Sequence, residues 1–238
     1  MKRILLLALL AVMATACNSM AWDIKIPGLV QEEFKDLTKE FGSAIAYRNL
    51  APAAPLGITG FDVAAQASFI SIDNEAAQWK KVTGNDAPDY IAYPTIRARK
   101  GLPFGIDVGA MYSYISNTSI QLYGAEISKA ILEGGIASPA VGIRGTYTRL
   151  AGAGDLSLQT AGIDASISKG FIFLTPYAGG GMLWIDGKDN SNTLKSESMW
   201  QPRGFVGVKI SPLPLLGLTA ELEYAARPIY SVKLGVSF

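Results

Sequence analysis

Glu221 and Glu223 stand two residues apart in the stretch LGLTAELEY. In an extended strand that spacing points both carboxylates to one face. Such a pair can exchange protons or hold a cation. It can equally neutralise arginines placed opposite, and Arg97, Arg99 and Arg203 are available for that. Other chemistry is restricted. The 238-residue chain contains no His, which excludes serine triads, imidazole acid–base pairs and the commonest zinc sites. Its single Cys, Cys17, excludes an intramolecular disulfide. TPYAGGGML (175–183) carries three consecutive glycines but lacks the Lys-Ser/Thr ending of a phosphate loop, and no helix follows. It reads as a strand that bends or coils. The expectation is a protein that is not an enzyme and uses no cofactor or metal.

Charged residues make up 17% of the chain, against about 25% in a typical soluble domain, and apolar residues reach 49%. A deficit of charge means lost contact with water. The net charge of +1 offers no basic surface for nucleic acid.

MKRILLLALLAVMATACNSMA reads as a secretory signal peptide over residues 1–21. Lys2 and Arg3 form its positive start. Ile4 to Met13 form its apolar stretch, far short of the ~20 residues of a membrane-spanning helix. Ala14-Thr15-Ala16 and Ser19-Met20-Ala21 both offer small-residue cleavage sites, and cleavage after Ala21 is expected. Ala16-Cys17 is the alternative, a lipoprotein-type site that would lipidate Cys17. Against it, Ala14 stands where such signals usually carry Leu. No later run reaches ~18 consecutive apolar residues, so no transmembrane helix is expected.

LVQEEFKDLTKEF (29–41) sets Leu29, Val30, Phe34, Leu37 and Phe41 near one face, which predicts a short amphipathic helix stopped by Gly42. NLAPAAPLG (49–57) reads as an extended connector, and residues 43–50 are a candidate extra strand. After Gly57 the period changes from about 3.6 to 2. Phe61, Val63 and Phe69 oppose Asp62, Gln66 and Ser68. Ile106, Val108 and Tyr112 oppose Asp107, Gly109 and Ser113. Similar alternation recurs to the end of the chain. The segments suit the ~9–11 residues of a tilted membrane-crossing strand better than the ~5–6 of a soluble one. Aromatic residues mark their ends: Phe104, Tyr114, Tyr147, Phe171, Trp184, Trp200, Tyr224, Tyr230 and Phe238. Long polar joins at 73–90 and 186–199 both follow odd strands, whereas joins after even strands are short.

A soluble β-sandwich would have a water face rich in Lys and Glu. Here the polar face is mostly Gly, Ala, Ser and Thr, with isolated charges in balance. Asp62, Asp107, Asp164, Glu221 and Glu223 share it with Arg97, Arg99, Arg144, Arg203, Lys209 and Lys233. The reading is an all-β, antiparallel up-and-down transmembrane β-barrel of about ten strands (8–12 in range), with a short N-terminal amphipathic helix. The charged face would line its lumen, either as a pore or solute site or as a salt-bridged filling. Filling is the better expectation in a narrow barrel.

The final YSVKLGVSF resembles the C-terminal signature of Gram-negative outer-membrane β-barrel proteins, carried by Tyr230, Val232, Leu234, Val236 and Phe238. The resemblance implies an outer-membrane location, contact with outer-membrane lipids, and recognition of the last strand by the barrel-assembly machinery. It implies a structural or narrow-pore role for a monomer. The alternatives are a surface-binding protein acting through 73–90 and 186–199, or an outer-membrane enzyme that works without His. The expected organisation is a signal peptide (1–21), a periplasmic helix and Pro-rich connector (22–56) and the barrel (57–238). The helix is expected against the periplasmic rim, because about ten strands leave little room for it inside.

Overall fold

The computed structural model describes residue 26 and residues 28–83, 89–115 and 119–238. The expected signal peptide (1–21) and Cys17 lie outside the described residues. No helix among the described residues is long and apolar enough to cross a membrane.

Helix α1 spans Gln31–Ile45. The Glu33 carboxylate accepts a hydrogen bond from the Val30 amide at 2.9 Å and, with Glu32, complements the positive end of the helix. Phe34, Leu37, Phe41 and Ile45 recur at three- and four-residue spacing and are all buried. Gly42 does not stop the helix, contrary to the sequence expectation. The end comes after Ile45, where the Arg48 guanidinium donates to the Ser43 and Ala44 carbonyls at 2.8 and 2.6 Å.

The strands follow as β1 (Phe61–Ser71), β2 (Tyr90–Leu102), β3 (Ile106–Tyr114), β4 (Gln121–Glu133), β5 (Ala140–Ala151), β6 (Leu156–Ser168), β7 (Leu174–Asp189), β8 (Glu197–Leu213), β9 (Leu216–Tyr224) and β10 (Pro228–Ser237). Each pairs antiparallel with its sequence neighbours, and β1 pairs with β10, giving a closed ten-strand barrel. At the seam Phe61 and Phe238 exchange two backbone hydrogen bonds of 2.7 and 3.0 Å, and their rings lie 6.1 Å apart. Residues 43–50 add no strand to the sheet. Strands β7 and β8 are longer than the sequence periodicity suggests. Pairing continues to Gly187↔Glu197, so the second long join shrinks to residues 190–196.

The pleat sorts the side chains. Val63, Ile127, Ile143, Ile163, Val206, Leu222 and Val236 point outward and are exposed, while the charged positions point into the lumen. Tyr112, Tyr123, Tyr147, Trp200, Tyr224 and Tyr230 stand outside near the rim that bears the long joins. At the opposite rim the turn tips are apolar, with Phe104, Ile136, Ile172 and Leu215 exposed. There the lysine ammoniums cover backbone carbonyls. Lys100 reaches the Ile58 carbonyl at 2.6 Å, Lys129 that of Phe104 at 3.0 Å, and Lys169 that of Ile136 at 2.7 Å.

Helix α1 is not against the short-turn rim. It lies inside the barrel at the long-join end, packed on β6, β7 and β8. Room for it comes from missing side chains. A Cβ on Gly42 would collide with Ile185, and one on Gly187 would lie 2.5 Å from Thr38. A lumen of ten strands is too narrow for a helix only where both surfaces carry ordinary side chains, and here they do not. A short helix α2 (Ala77–Thr83) in the first long join packs against α1.

Candidate functional site

The lumen is filled by two interlocked parts, a charged wall and the segment that follows α1. On the wall, ion pairs form a nearly continuous belt. Arg99 pairs with Asp107 at 3.0 Å and with Glu126 at 2.7 Å, and Arg97 pairs with Glu126 at 3.2 Å. Arg144 lies 3.6 Å from Glu126 and 2.6 Å from Asp164. Arg203 lies 2.6 Å from Asp164 and 3.9 Å from Glu223, whose other oxygen meets Arg48 at 2.6 Å. Asp62 and Lys233 pair at 3.3 Å on the neighbouring strands β1 and β10.

Three of these pairs span an intervening strand, Arg97–Glu126, Arg99–Glu126 and Arg203–Asp164, and a glycine stands in the gap of the last two. Arg99, Gly109 and Glu126 stand in register on β2, β3 and β4. Asp164, Gly181 and Arg203 stand in register on β6, β7 and β8. A Cβ at Gly109 would lie 2.7 Å from the Glu126 carboxylate, and one at Gly181 would strike the β6 backbone and Asp164. The glycines of 179–181 therefore do more than bend a strand. Gly181 leaves the gap through which Arg203 reaches Asp164.

The segment after α1 runs through this belt, and residues 41–51 are buried without exception. Side chains of the wall hold its backbone. Arg203 donates to the Tyr47 carbonyl at 3.0 Å, Arg144 to that of Arg48 at 2.9 Å, and Arg97 to that of Asn49 at 3.1 Å. The Leu50 amide donates to the Glu221 carboxylate at 2.8 Å, which also accepts from the Tyr177 hydroxyl at 2.8 Å. An extended segment has no partners of its own for these groups, so the wall must supply them. Beyond it, a cavity of about 430 Å3 reaches the short-turn rim, lined among others by Pro52, Pro55, Asp62, Arg99, Lys209 and Lys233.

Asp62, Arg97, Arg99, Asp107, Arg144, Asp164, Arg203, Glu221, Glu223 and Lys233 are all buried on the lumen side. Lys209 also faces inward, half-buried, with its ammonium 3.2 Å from the Ser237 hydroxyl. Glu221 and Glu223 do not act as a pair, because each is taken by a different partner: Tyr177 and Leu50 for the first, Arg48 for the second. Sequence reasoning missed Glu126 and Arg48. Glu126 was detectable, since it alternates with Leu122 and Gly124 on the inner side of β4. Arg48 lies in a segment without periodicity, and no pattern announces it. Among the described residues, no group of three or more His, Cys, Asp or Glu side chains is placed to hold a metal ion.

No protein-family model and no curated protein matches the chain. Solved structures do. The N-terminal β-barrel domain of OprF from Pseudomonas aeruginosa aligns at 14% identity over 76% of this chain and 99% of that chain, with a TM-score of 0.40. The outer membrane protein OprG from Pseudomonas aeruginosa aligns at 8% identity over 79% of this chain and 99% of that one, with a TM-score of 0.40. Ail of Yersinia pestis aligns at 14% identity over 75% of this chain and 97% of that one, with a TM-score of 0.30. The fold itself is a closed antiparallel β-barrel of ten strands. At these identities and TM-scores the likeness says nothing of function.

Proposed function

We propose that the protein is a monomeric outer-membrane β-barrel kept closed by its own N-terminal segment, with a structural role in the envelope. The observation that carries this reading is the unbroken burial of residues 41–51 inside the lumen, held by Arg97, Arg144, Arg203 and Glu221 from the wall. Support for the location comes from the outward apolar belt. From Tyr230 to Phe238 the last strand rises about 26 Å, or about 20 Å across a bilayer at ~40° tilt, close to the ~25 Å apolar band of such barrels. The closed seam leaves no open sheet edge for pairing with a second copy, which supports a monomer. Long joins belong outside the cell and short turns in the periplasm. The barrel-assembly machinery would read the strand ending in Phe238.

Planar-bilayer conductance tests the closed lumen. The intact protein is expected to pass little current, and deletion of residues 22–56 to produce steady ion conductance. Stable conductance by the intact protein would overturn the reading in favour of a narrow pore.

A second reading, surface binding, has its own support. The long-join rim is braced rather than loose. Lys81 pairs with Glu33 at 2.7 Å, and Arg227 with Glu40 and Asp73 at 3.1 and 2.9 Å, while Trp79 donates to Glu40 at 2.6 Å. A braced rim suits recognition of a partner, and loop replacements that leave the barrel folded but abolish cell or ligand binding would favour it.

A further inference from the structure

The direction of the chain inside the barrel has a topological consequence. At the long-join rim, Lys81 of the first long join bonds the Gly28 carbonyl at 3.1 Å. There too Gln31 donates to the Lys195 carbonyl and accepts from its amide, each at 3.0 Å. Descending, Tyr93 bonds the Ala44 carbonyl at 2.7 Å, and Arg203 holds that of Tyr47. At the opposite rim the Ala53 amide meets the hydroxyl of Ser168, the last residue of β6, at 3.0 Å. The Leu56 amide there meets Asp107, at the start of β3, at 3.1 Å. The chain then turns at residues 57–60 and climbs back as β1.

Length agrees with a full crossing. The 15 residues of α1 span about 22 Å at 1.5 Å per residue. The extended segment to Leu56 adds up to about 35 Å. The apolar band of such a barrel is ~25 Å tall.

We propose that the chain makes an eleventh crossing of the membrane inside its own barrel, entering the lumen from the side of the long joins. On the outer-membrane reading above, on which this inference rests, that side is the cell exterior. The barrel then presents the start of α1 at its outer face and fills its own lumen with the segment that follows. The crossing polypeptide meets no lipid, and its backbone groups are satisfied by the arginines and Glu221 of the wall rather than by a strand ladder.

Single-cysteine labelling with a membrane-impermeant maleimide tests this on whole cells, with the unsubstituted protein setting the background. Glu32→Cys sits on the exposed face of α1, Glu75→Cys in the first long join, and Ile58→Cys at the short-turn rim. The expected result is labelling of Glu32→Cys and Glu75→Cys on intact cells, and of Ile58→Cys only after the envelope is opened. Labelling of Glu75→Cys but not Glu32→Cys on intact cells would overturn the inference and leave the barrel reading standing. Labelling of Ile58→Cys but not Glu75→Cys on intact cells would overturn the orientation, and absence of all three variants from the outer-membrane fraction would overturn the reading itself.

Discussion

Arg48 meets three demands at once. Its guanidinium neutralises Glu223, it covers the last carbonyls of α1, and its own carbonyl is taken by Arg144. Removing one member of a buried pair leaves the other charged and unpaired, a loss of about 3–5 kcal/mol. Arg48→Ala is therefore expected to destabilise the folded barrel by that order in chemical unfolding from lipid or detergent. Arg48→Met combined with Glu223→Leu should recover much of the loss, because it removes both charges. A single substitution that leaves unfolding unchanged would show that the pair does not form. At this scale the sequence is readable wherever a strand imposes alternation. Period 2 alone assigns Asp62, Arg97 and Glu221 to the lumen. It does not assign Gly109 and Gly181 their gap-making role, because that depends on which residues stand in register across three strands. A single sequence does not contain that register.

Among the elements, the strands announce themselves through period 2 and the helix through period 3.6, but placement does not follow from either. Helix α1 exposes Glu32, Lys35 and Asp36 on one face and buries Phe34, Leu37 and every residue from 41 to 45, so its amphipathic pattern fits a membrane surface, a rim or a lumen equally well. The close contact of Gly42 with Ile185 decides it, and Gly42 read alone looks like a stop. The last strand is the most legible element. Phe238 donates one backbone hydrogen bond to Phe61, accepts another from it, and adds a ring contact at the end of the seam. Deleting Phe238 is expected to reduce the yield of outer-membrane-inserted protein sharply while leaving any binding by the long joins intact in the fraction that folds. Quantifying the folded fraction in purified outer membranes measures it, and normal assembly of the truncated chain would count against it.

The whole molecule inverts a soluble protein, with its apolar surface outside and its charges within. That inversion makes unfolding in detergent slow and visible. The outer-membrane fraction should yield a band whose mobility in SDS shifts between unheated and boiled samples. Recovery of the protein as a soluble periplasmic species would refute the membrane reading. Closure also imposes an order of events. The internal segment is held by β2, β5, β8 and β9 together, and a helix about 10 Å across is more readily enclosed by strands still apart than threaded into a closed barrel. The expected order has the segment in place before β1 zips to β10. Once the seam has closed, the molecule behaves as an anchor under load. An outward pull on α1 reaches the turn at 57–60 and then β1, which is bonded on both sides along its length. A pull there peels β1 from its lower end, and each step must break hydrogen bonds to β2 and β10 at once before any of the chain pays out. A tether built this way needs no cross-link, because the internal segment runs by its own backbone into a strand of the wall.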